Sequence, residues 1–261
     1  MRKFPNTPLI SFFEDDFYAY HKCGAWPQRW DVPAITTLVR MVHPDTIIDL
    51  GCGEGRITWN LFESGFTGTI LGVDNSVSAR TAFQERFHDE ERARFHSGDL
   101  RTSPLHGTKA DLLVMGDATI NSFRTQEEVR MLLRYITSSL TPQGHAIMVV
   151  YQDGILERFE KLSGAMDVVE FEDAEGIRRL LWRGVHYQDR DFRQNYFIEY
   201  QGHRFPGVLG VHRERIWESG EIIALAKEAG LSLKASELTR VDQGGAQGWP
   251  CDVLLLQMDR E

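Results

Sequence analysis

Residues Ile47 to Arg56 read I-I-D-L-G-C-G-E-G-R, an apolar run that passes straight into three glycines spaced two apart. A second apolar run, Thr69 to Val73, ends on Asp74. A strand entering glycines can turn tightly and press its backbone against a ligand, because glycine accepts positive φ and carries no Cβ. An acid at the tip of the neighbouring strand, here 23 residues beyond Gly51, is placed to accept both hydroxyls of a ribose. The combination points to a strand, loop and helix that hold a nucleoside cofactor. The glycines stand at 51, 53 and 55, whereas a dinucleotide fingerprint wants the third at 56, where this chain has Arg56. That offset disfavours a pyrophosphate and leaves a nicotinamide enzyme as a distant alternative.

Around this motif the chain alternates strand and helix patterns. Apolar runs at Thr46 to Leu50, Thr69 to Val73, Asp111 to Met115 and His145 to Tyr151, with a weaker one at Arg94 to His96, predict strands. Helices are predicted from about Asp31 to Val42 with Pro33 in the first turn, and over Arg56 to Ser64, Val77 to Asp89 and Gln126 to Leu140. Thr125 and Glu128 form a capping box for the last of these, and Pro142 with Gly144 marks its exit. Such an order makes a mostly parallel α/β sheet with helices on both faces. Ligands on such sheets lie beyond the carboxyl ends of the strands, where the glycines, Asp74, Asp99 and Asp117 fall. Asp111, by contrast, opens a strand and reads as a structural acid. A helix at about Gly220 to Glu228 and strands at Leu231 to Ala235 and Val253 to Met258, an antiparallel pair, complete the sheet.

Two segments depart from this pattern. Phe12, Phe13, Phe17, Tyr18, Tyr20, Trp26 and Trp30 crowd into 19 residues and predict an aromatic amino-terminal flap over 1–30, with Tyr18, Tyr20 and Trp30 as candidates to contact a cationic group. Between 152 and 215 two extended runs, Ile177 to Gln188 and Asp191 to Glu199, flank a D-R-D turn, and Gly202, Pro206, Gly207 and Gly210 then break the pattern. This segment is expected to be an inserted antiparallel lid, too short for a second domain, between a core of 31–151 and its closing elements at 216–261. From Gly176 to Arg215 eight arginines face four acids, a local +4 in a chain of net charge -9. Arg178, Arg183 and Arg193 lie within the predicted strands and are candidates to clamp a substrate carboxylate or phosphate. His186 and Tyr187, in the same insertion, are candidates for base chemistry, beside His203 and His212.

The charge of -9 opposes a general grip on a nucleic-acid backbone. Cys23, Cys52 and Cys251 are too few and too scattered for a disulfide scaffold or a metal cluster. No run reaches the ~20 apolar residues of a membrane span and the amino terminus lacks a secretory stretch, so a soluble cytoplasmic protein without metal, membrane or nucleic-acid partner is expected.

The motif D-L-G-C-G-E-G, followed by L-G-V-D and H-S-G-D-L, resembles the class I S-adenosylmethionine-dependent methyltransferases over residues 30 to 151, and the last 45 residues follow the family's element order. The resemblance implies a Rossmann-like fold with a seven-stranded sheet and S-adenosylmethionine as cofactor. It implies that Asp49, Gly51, Cys52, Gly53 and Gly55 form the bed for the methionine portion, and that Asp74 and Asn75 meet the ribose. Asp99 and Leu100 would lie at the adenine, and Asp117 would open the active-site loop.

Gly116-Asp117-Ala118-Thr119 is unlike the N-P-P-Y loop of base methylases, and Gln143-Gly144-His145 lacks the second acid of the magnesium-dependent catechol type. G-D-A-T-I-N-S-F is instead similar to the loop of small-molecule amine methyltransferases. The resemblance thus implies methyl transfer to nitrogen or oxygen of a small, anionic molecule. A protein or RNA methyltransferase, or a non-catalytic S-adenosylmethionine-binding module that contacts a protein, is the alternative.

Overall fold

The computed structural model describes residues 9–11, 13–14, 17, 30–102, 107–173, 175–199, 207–241 and 249–259. The chain divides into two compact units, a core of 27–155 with 217–261 and a second unit of 1–26 with 156–216. In chain order the elements are β1 (Leu9–Ser11), α1 (Val32–Val42), β2 (Thr46–Leu50), α2 (Arg56–Glu63), β3 (Thr69–Asp74), α3 (Val77–Arg86), β4 (Ala93–Ser97) and β5 (Ala110–Met115). There follow α4 (Gln126–Ser139), β6 (Leu140–Tyr151), α5 (Leu156–Leu162), β7 (Met166–Glu172), β8 (Arg178–Gln188) and β9 (Asp191–Glu199). The chain closes with β10 (Gly207–Arg215), α6 (Ser219–Glu228), β11 (Leu231–Val241) and β12 (Trp249–Met258).

The core sheet runs β11-β12-β6-β5-β2-β3-β4. Strands β2 to β6 are parallel, and β12 is antiparallel to both β6 and β11. Alternating residues of the central strands serve opposite faces. Ile48, Leu50, Leu113, Met148 and Val150 meet Val129, Leu132, Leu133 and Ile136 of α4 and Ile222, Leu225 and Ala226 of α6. Elsewhere Cys52, Phe83 and Phe87 form a smaller cluster. Thr125 and Glu128 make the expected capping box. Asp111 is structural, as expected: it accepts from the backbone N–H groups of Asp45 and Thr46 and from the Thr46 hydroxyl at 2.9–3.1 Å, tying the start of β2 to that of β5. Strand β6 begins earlier than expected, because Leu140 already pairs with Ala110. The ladder then breaks and resumes at Leu112 with His145, so Pro142 sits where no ladder bond is required.

The second unit holds a five-stranded sheet, β1-β10-β9-β8-β7, antiparallel except for β1 along β10. One face packs Phe17, Phe171, Leu181, Tyr196, Ile198 and Val208 together. Phe159 of α5 lies 5.6 Å from Tyr187 and 4.9 Å from Phe192. The insertion therefore carries four strands and a helix where two extended runs were expected, and the amino-terminal β1 and Phe17 belong to the same unit. Strand β10 is hidden in the sequence because Gly207 and Gly210 read as breakers. They are packing glycines instead: a Cβ on Gly207 would stand 1.9 Å from the Ile198 carbonyl oxygen, and one on Gly210 would stand 2.5 Å from the Phe17 ring. Phe12, Tyr18, Tyr20, Trp26 and His203 lie outside the described residues.

Candidate functional site

Strand order in the core reverses at β2, whose neighbours are β3 on one side and β5 on the other. The loops beyond the carboxyl ends of these strands diverge there and leave a crevice for a ligand. The loop after β2 is fixed against β3, since Gly51 and Cys52 donate their N–H groups to the Val73 carbonyl at 2.8 and 3.2 Å. Gly51, Gly53 and Gly55 all take positive φ, at 68°, 55° and 81°. Their surroundings differ. A Cβ at Gly51 would meet Thr119 at 2.7 Å, and one at Gly55 would meet Phe87 at 2.4 Å, whereas one at Gly53 would meet none of the described residues within 4 Å. Gly51 and Gly55 thus serve internal packing, and Gly53 faces the open space that a ligand can approach.

Asp74 stands at the tip of β3. Its carboxylate accepts the Gly53 N–H on one oxygen and the Ser76 N–H on the other, both at 2.9 Å. A carboxylate oxygen has more than one lone pair, so accepting an amide does not by itself bar a hydroxyl. Asn75 is exposed next to it, and Ser76 caps α3 by accepting from Ala79 N.

Asp49 is buried, with its Oδ2 accepting from the Thr58 hydroxyl at 3.0 Å and its Oδ1 without a hydrogen-bond partner among the described residues. Burial pushes its carboxyl up to about 7, against the Thr58 hydrogen bond and the Arg56 charge, which lower it. An unsatisfied buried carboxylate oxygen next to a glycine loop is an acceptor for a ligand ammonium. Cys52 contributes backbone only: its side chain packs on Phe83 and Phe87, and burial raises its thiol well above the ordinary range.

Asp31 is the site residue that sequence reasoning missed. Completely buried at the start of α1, it receives the Arg56 guanidinium on both oxygens and the Asp117 N–H at 2.8 Å. The residue that spoils the dinucleotide fingerprint is thus the partner of a buried acid. Burial alone would lower the Arg56 pKa, but the charge and hydrogen bonds of Asp31, with Asp117 and Asp49 behind them, raise it. Gly116 leaves the room, since a Cβ there would stand 2.9 Å from an Asp31 oxygen. The only sequence signal was an acid just ahead of the Pro33 helix start.

Beyond β5, Asp117 and Ala118 both have φ of 51°, a left-handed pair without glycine. Such strain persists only where the surroundings enforce it and gathers at functional loops. Here Thr119 enforces it, donating its N–H and its hydroxyl to the Gly116 carbonyl at 3.0 and 2.8 Å while its methyl lies against Gly51. The Asp117 side chain is exposed. Asp99 follows β4 as expected, yet both its oxygens bind the Arg101 guanidinium at 2.9 and 3.0 Å. Burial raises its pKa, but those bonds outweigh burial and lower it. A donor from a ligand would have to share or replace Arg101. Leu100 packs against the core cluster, and the Trp30 carbonyl is held by Thr239. A separate cleft of about 340 Å3, lined by Thr36, Arg40, His43 and Ser64, opens where the strands begin and belongs to the other end of the sheet.

The remaining nominees lie in the second unit. Tyr187 is a buried packing residue whose backbone N–H and carbonyl both bond the Ser163 hydroxyl, and His186 is exposed, cross-strand from Arg193. Arg178 lies 3.5 Å from Glu170, Arg183 forks onto Asp167, and Arg193 lies 2.7 Å from Asp191. Each nominated clamp already has an acid on its own sheet. Starting the charge count at β7 adds Asp167, Glu170, Glu172, Asp173 and Glu175, and the local +4 becomes -1. The window left out the β7 partners of Arg178 and Arg183, while Asp191, the partner of Arg193, lay inside it.

Residues 47–144 match the family described as Methyltransferase domain. Over those residues the core is similar to a methyltransferase domain. The Bacillus subtilis (strain 168) protein named "Putative methyltransferase YqeM" is 21% identical over 189 residues, which cover 72% of this chain and 73% of that protein. The fold is that of solved S-adenosylmethionine-dependent methyltransferases. KedS8, a sugar N-methyltransferase from Streptoalloteichus sp ATCC 53650, superposes with a TM-score of 0.71 at 17% identity, covering 95% of this chain and 94% of its own. CalS10, an S-adenosylmethionine-bound amino pentose methyltransferase from Micromonospora echinaspora, gives 0.68 at 17% identity, covering 95% and 99%. The mostly parallel sheet expected from the sequence, with its antiparallel final pair, is present in the core.

Proposed function

We propose that the protein transfers a methyl group from S-adenosylmethionine to a nitrogen or oxygen of a small molecule. The observation that carries this reading is the pairing of Gly53, open on its ligand side, with the Asp74 carboxylate that fixes its N–H, together with a buried Asp49 oxygen that has no partner among the described residues. These residues fit the cofactor. Asp74 would accept the ribose hydroxyls, Gly53 would allow close approach of the backbone, and Asp49 would receive the methionine ammonium. Asp99 and Leu100 would border the adenine.

When bound, the cofactor supplies an electrophilic methyl on a sulfonium. The protein has then to align the acceptor lone pair and exclude water. The strained loop from Gly116 to Asn121 is the element placed to do this, held rigid by Asp31 and Thr119. Nitrogen is the acceptor we favour, because an amine that reaches the site neutral needs no base. Two of the methyltransferases similar in fold are named as acting on a sugar nitrogen or an amino pentose. An anionic acceptor has lost its support, since the three nominated arginines are ion-paired within their own sheet.

The test is release of S-adenosylhomocysteine from S-adenosylmethionine in the presence of panels of amino sugars, other small amines and hydroxyl compounds. Turnover with one class identifies the acceptor. Tight cofactor binding without turnover on any panel would favour the non-catalytic module.

A further inference from the structure

The outer face of the five-stranded sheet is apolar where a solvated face should be polar. The cross-strand register aligns Val168, Trp182, Phe197, Leu209 and Leu9 in one row across all five strands. Four of these large side chains are exposed, from 39% for Trp182 to 69% for Leu9. The next row on the same face holds Met166, Gly184, Asn195, Val211 and Ser11, with Met166 and Val211 exposed as well. Strands with one face in water turn apolar residues inward and polar ones outward, so a face directed at water does not assemble a continuous apolar row.

Charges are divided between the two ends of this face. Beyond these two rows on one side lie Glu170, Glu172 and Glu199 against Arg178, a net -2. Beyond them on the other lie Arg193, Arg213 and Arg215 against Asp191, a net +2, beside His186. We infer that this face binds a second copy of the chain, sheet against sheet, about a twofold axis that runs across the strands between these two rows. That axis sets the acidic end of each copy over the basic end of the other, while the alternative axis along the strands would oppose like charges. It also sets each residue of one row over the residue two positions along the same strand of its partner. Trp182 then lies over Gly184 of the partner subunit, where a Cβ would meet none of the described residues within 4 Å and an indole has room. Leu209 lies over the partner's Val211, and Val168 over the partner's Met166. Five strands ~4.8 Å apart and four rows ~6.8 Å apart span roughly 19 by 20 Å between the outermost axes, and side-chain width and relief carry the accessible area of the patch toward the ~800 Å2 per partner of a stable interface.

Light scattering and sedimentation of the full chain over a micromolar range should show a dimer. Trp182→Ala and Leu209→Lys should each weaken association by roughly 30-fold or more, as loss of a central anchor does. Gly184→Leu should weaken it too, although it adds apolar surface, because it fills the seat of the indole from a position where a Cβ meets none of the described residues within 4 Å. Circular dichroism and Tm verify that each variant is folded. As an independent reading of the geometry, a mixture of Val168→Cys and Met166→Cys chains should be joined by a short bismaleimide, and the parent should not. A monomer at every concentration overturns the inference, as does a dimer indifferent to all three substitutions, a dimer tightened by Gly184→Leu, or a mixed pair that fails to cross-link.

Discussion

Replacing Asp31 with asparagine keeps the side-chain shape and removes the charge that holds Arg56. In the parent, both Asp31 oxygens take the Arg56 fork and one of them also takes the Asp117 N–H, while Asp31 has no exposed surface. Removing one partner of a buried pair leaves the other charge uncompensated and costs about 3–5 kcal/mol. Arg56 retains 17% exposure, so water can reach it and the lower end applies, about 3 kcal/mol. For a chain of this size that corresponds to a fall in Tm of roughly 6–12 °C. Urea unfolding followed by tryptophan fluorescence measures it. The double variant Asp31→Asn with Arg56→Met should recover part of the loss, because no charge is then stranded. Cofactor affinity should fall in the single variant, since the pair joins α1, α2 and the loop after β5. A single variant within about 1 kcal/mol of the parent would mean that the pair behaves as a solvated one and would refute its role in joining α1, α2 and the loop after β5.

Asp74→Ala should lower S-adenosylmethionine affinity by about tenfold to over a hundredfold, through loss of charge-assisted bonds of ~1.5–3 kcal/mol, and should also lower Tm because Gly53 and Ser76 lose their acceptor; calorimetry and melting on the same preparation read both. Gly53→Val should cost affinity far more than stability beyond its backbone strain, whereas Gly55→Val should chiefly lower Tm by colliding with Phe83 and Phe87, and equal effects on both readouts would remove the distinction. The Asp49 carboxyl is raised in the folded state to about 7, so the folded protein binds that proton more tightly than the unfolded chain and loses stability as pH rises from the ordinary carboxylate range to about 7. Asp49→Asn should therefore flatten that part of the Tm profile and be the more stable protein above pH 7, and an unchanged profile would contradict the burial effect. Arg178→Ala and Arg193→Ala should leave the substrate KM unchanged, because both arginines serve acids on their own sheet; a large rise in KM would restore the clamp.

Whatever depends on residue type at short range was legible in the sequence. The glycine turn, the acid ending β3 and the capping box at Thr125 each require particular residues within a few positions, and each is where it was expected. Features that depend on distant partners were not legible. Asp31 and Arg56 stand 25 residues apart and meet only after α1 and α2 pack. The closure of Arg101 upon Asp99 is different, a contact two residues apart in which side-chain direction, not distance along the chain, was hidden. Gly207 and Gly210 read as breakers because a glycine that admits a neighbouring backbone or ring leaves the same letter as one that ends a strand. The arginines of β8 misled for a related reason: Glu170 and Asp167 of β7 became neighbours of Arg178 and Arg183 only through strand pairing, whereas Asp191, the partner of Arg193, stood two residues away on β9.

The most direct measurement follows the methyl group itself. The purified protein is incubated with S-adenosylmethionine labelled on the methyl carbon and an extract containing metabolites and macromolecules, and the label is traced by mass in each fraction. Methyl transfer to a small molecule predicts label there, on nitrogen or oxygen, with equimolar S-adenosylhomocysteine, and loss of both in Asp74→Ala. Label recovered in protein or RNA, or none transferred by a chain that binds the cofactor tightly, would contradict it.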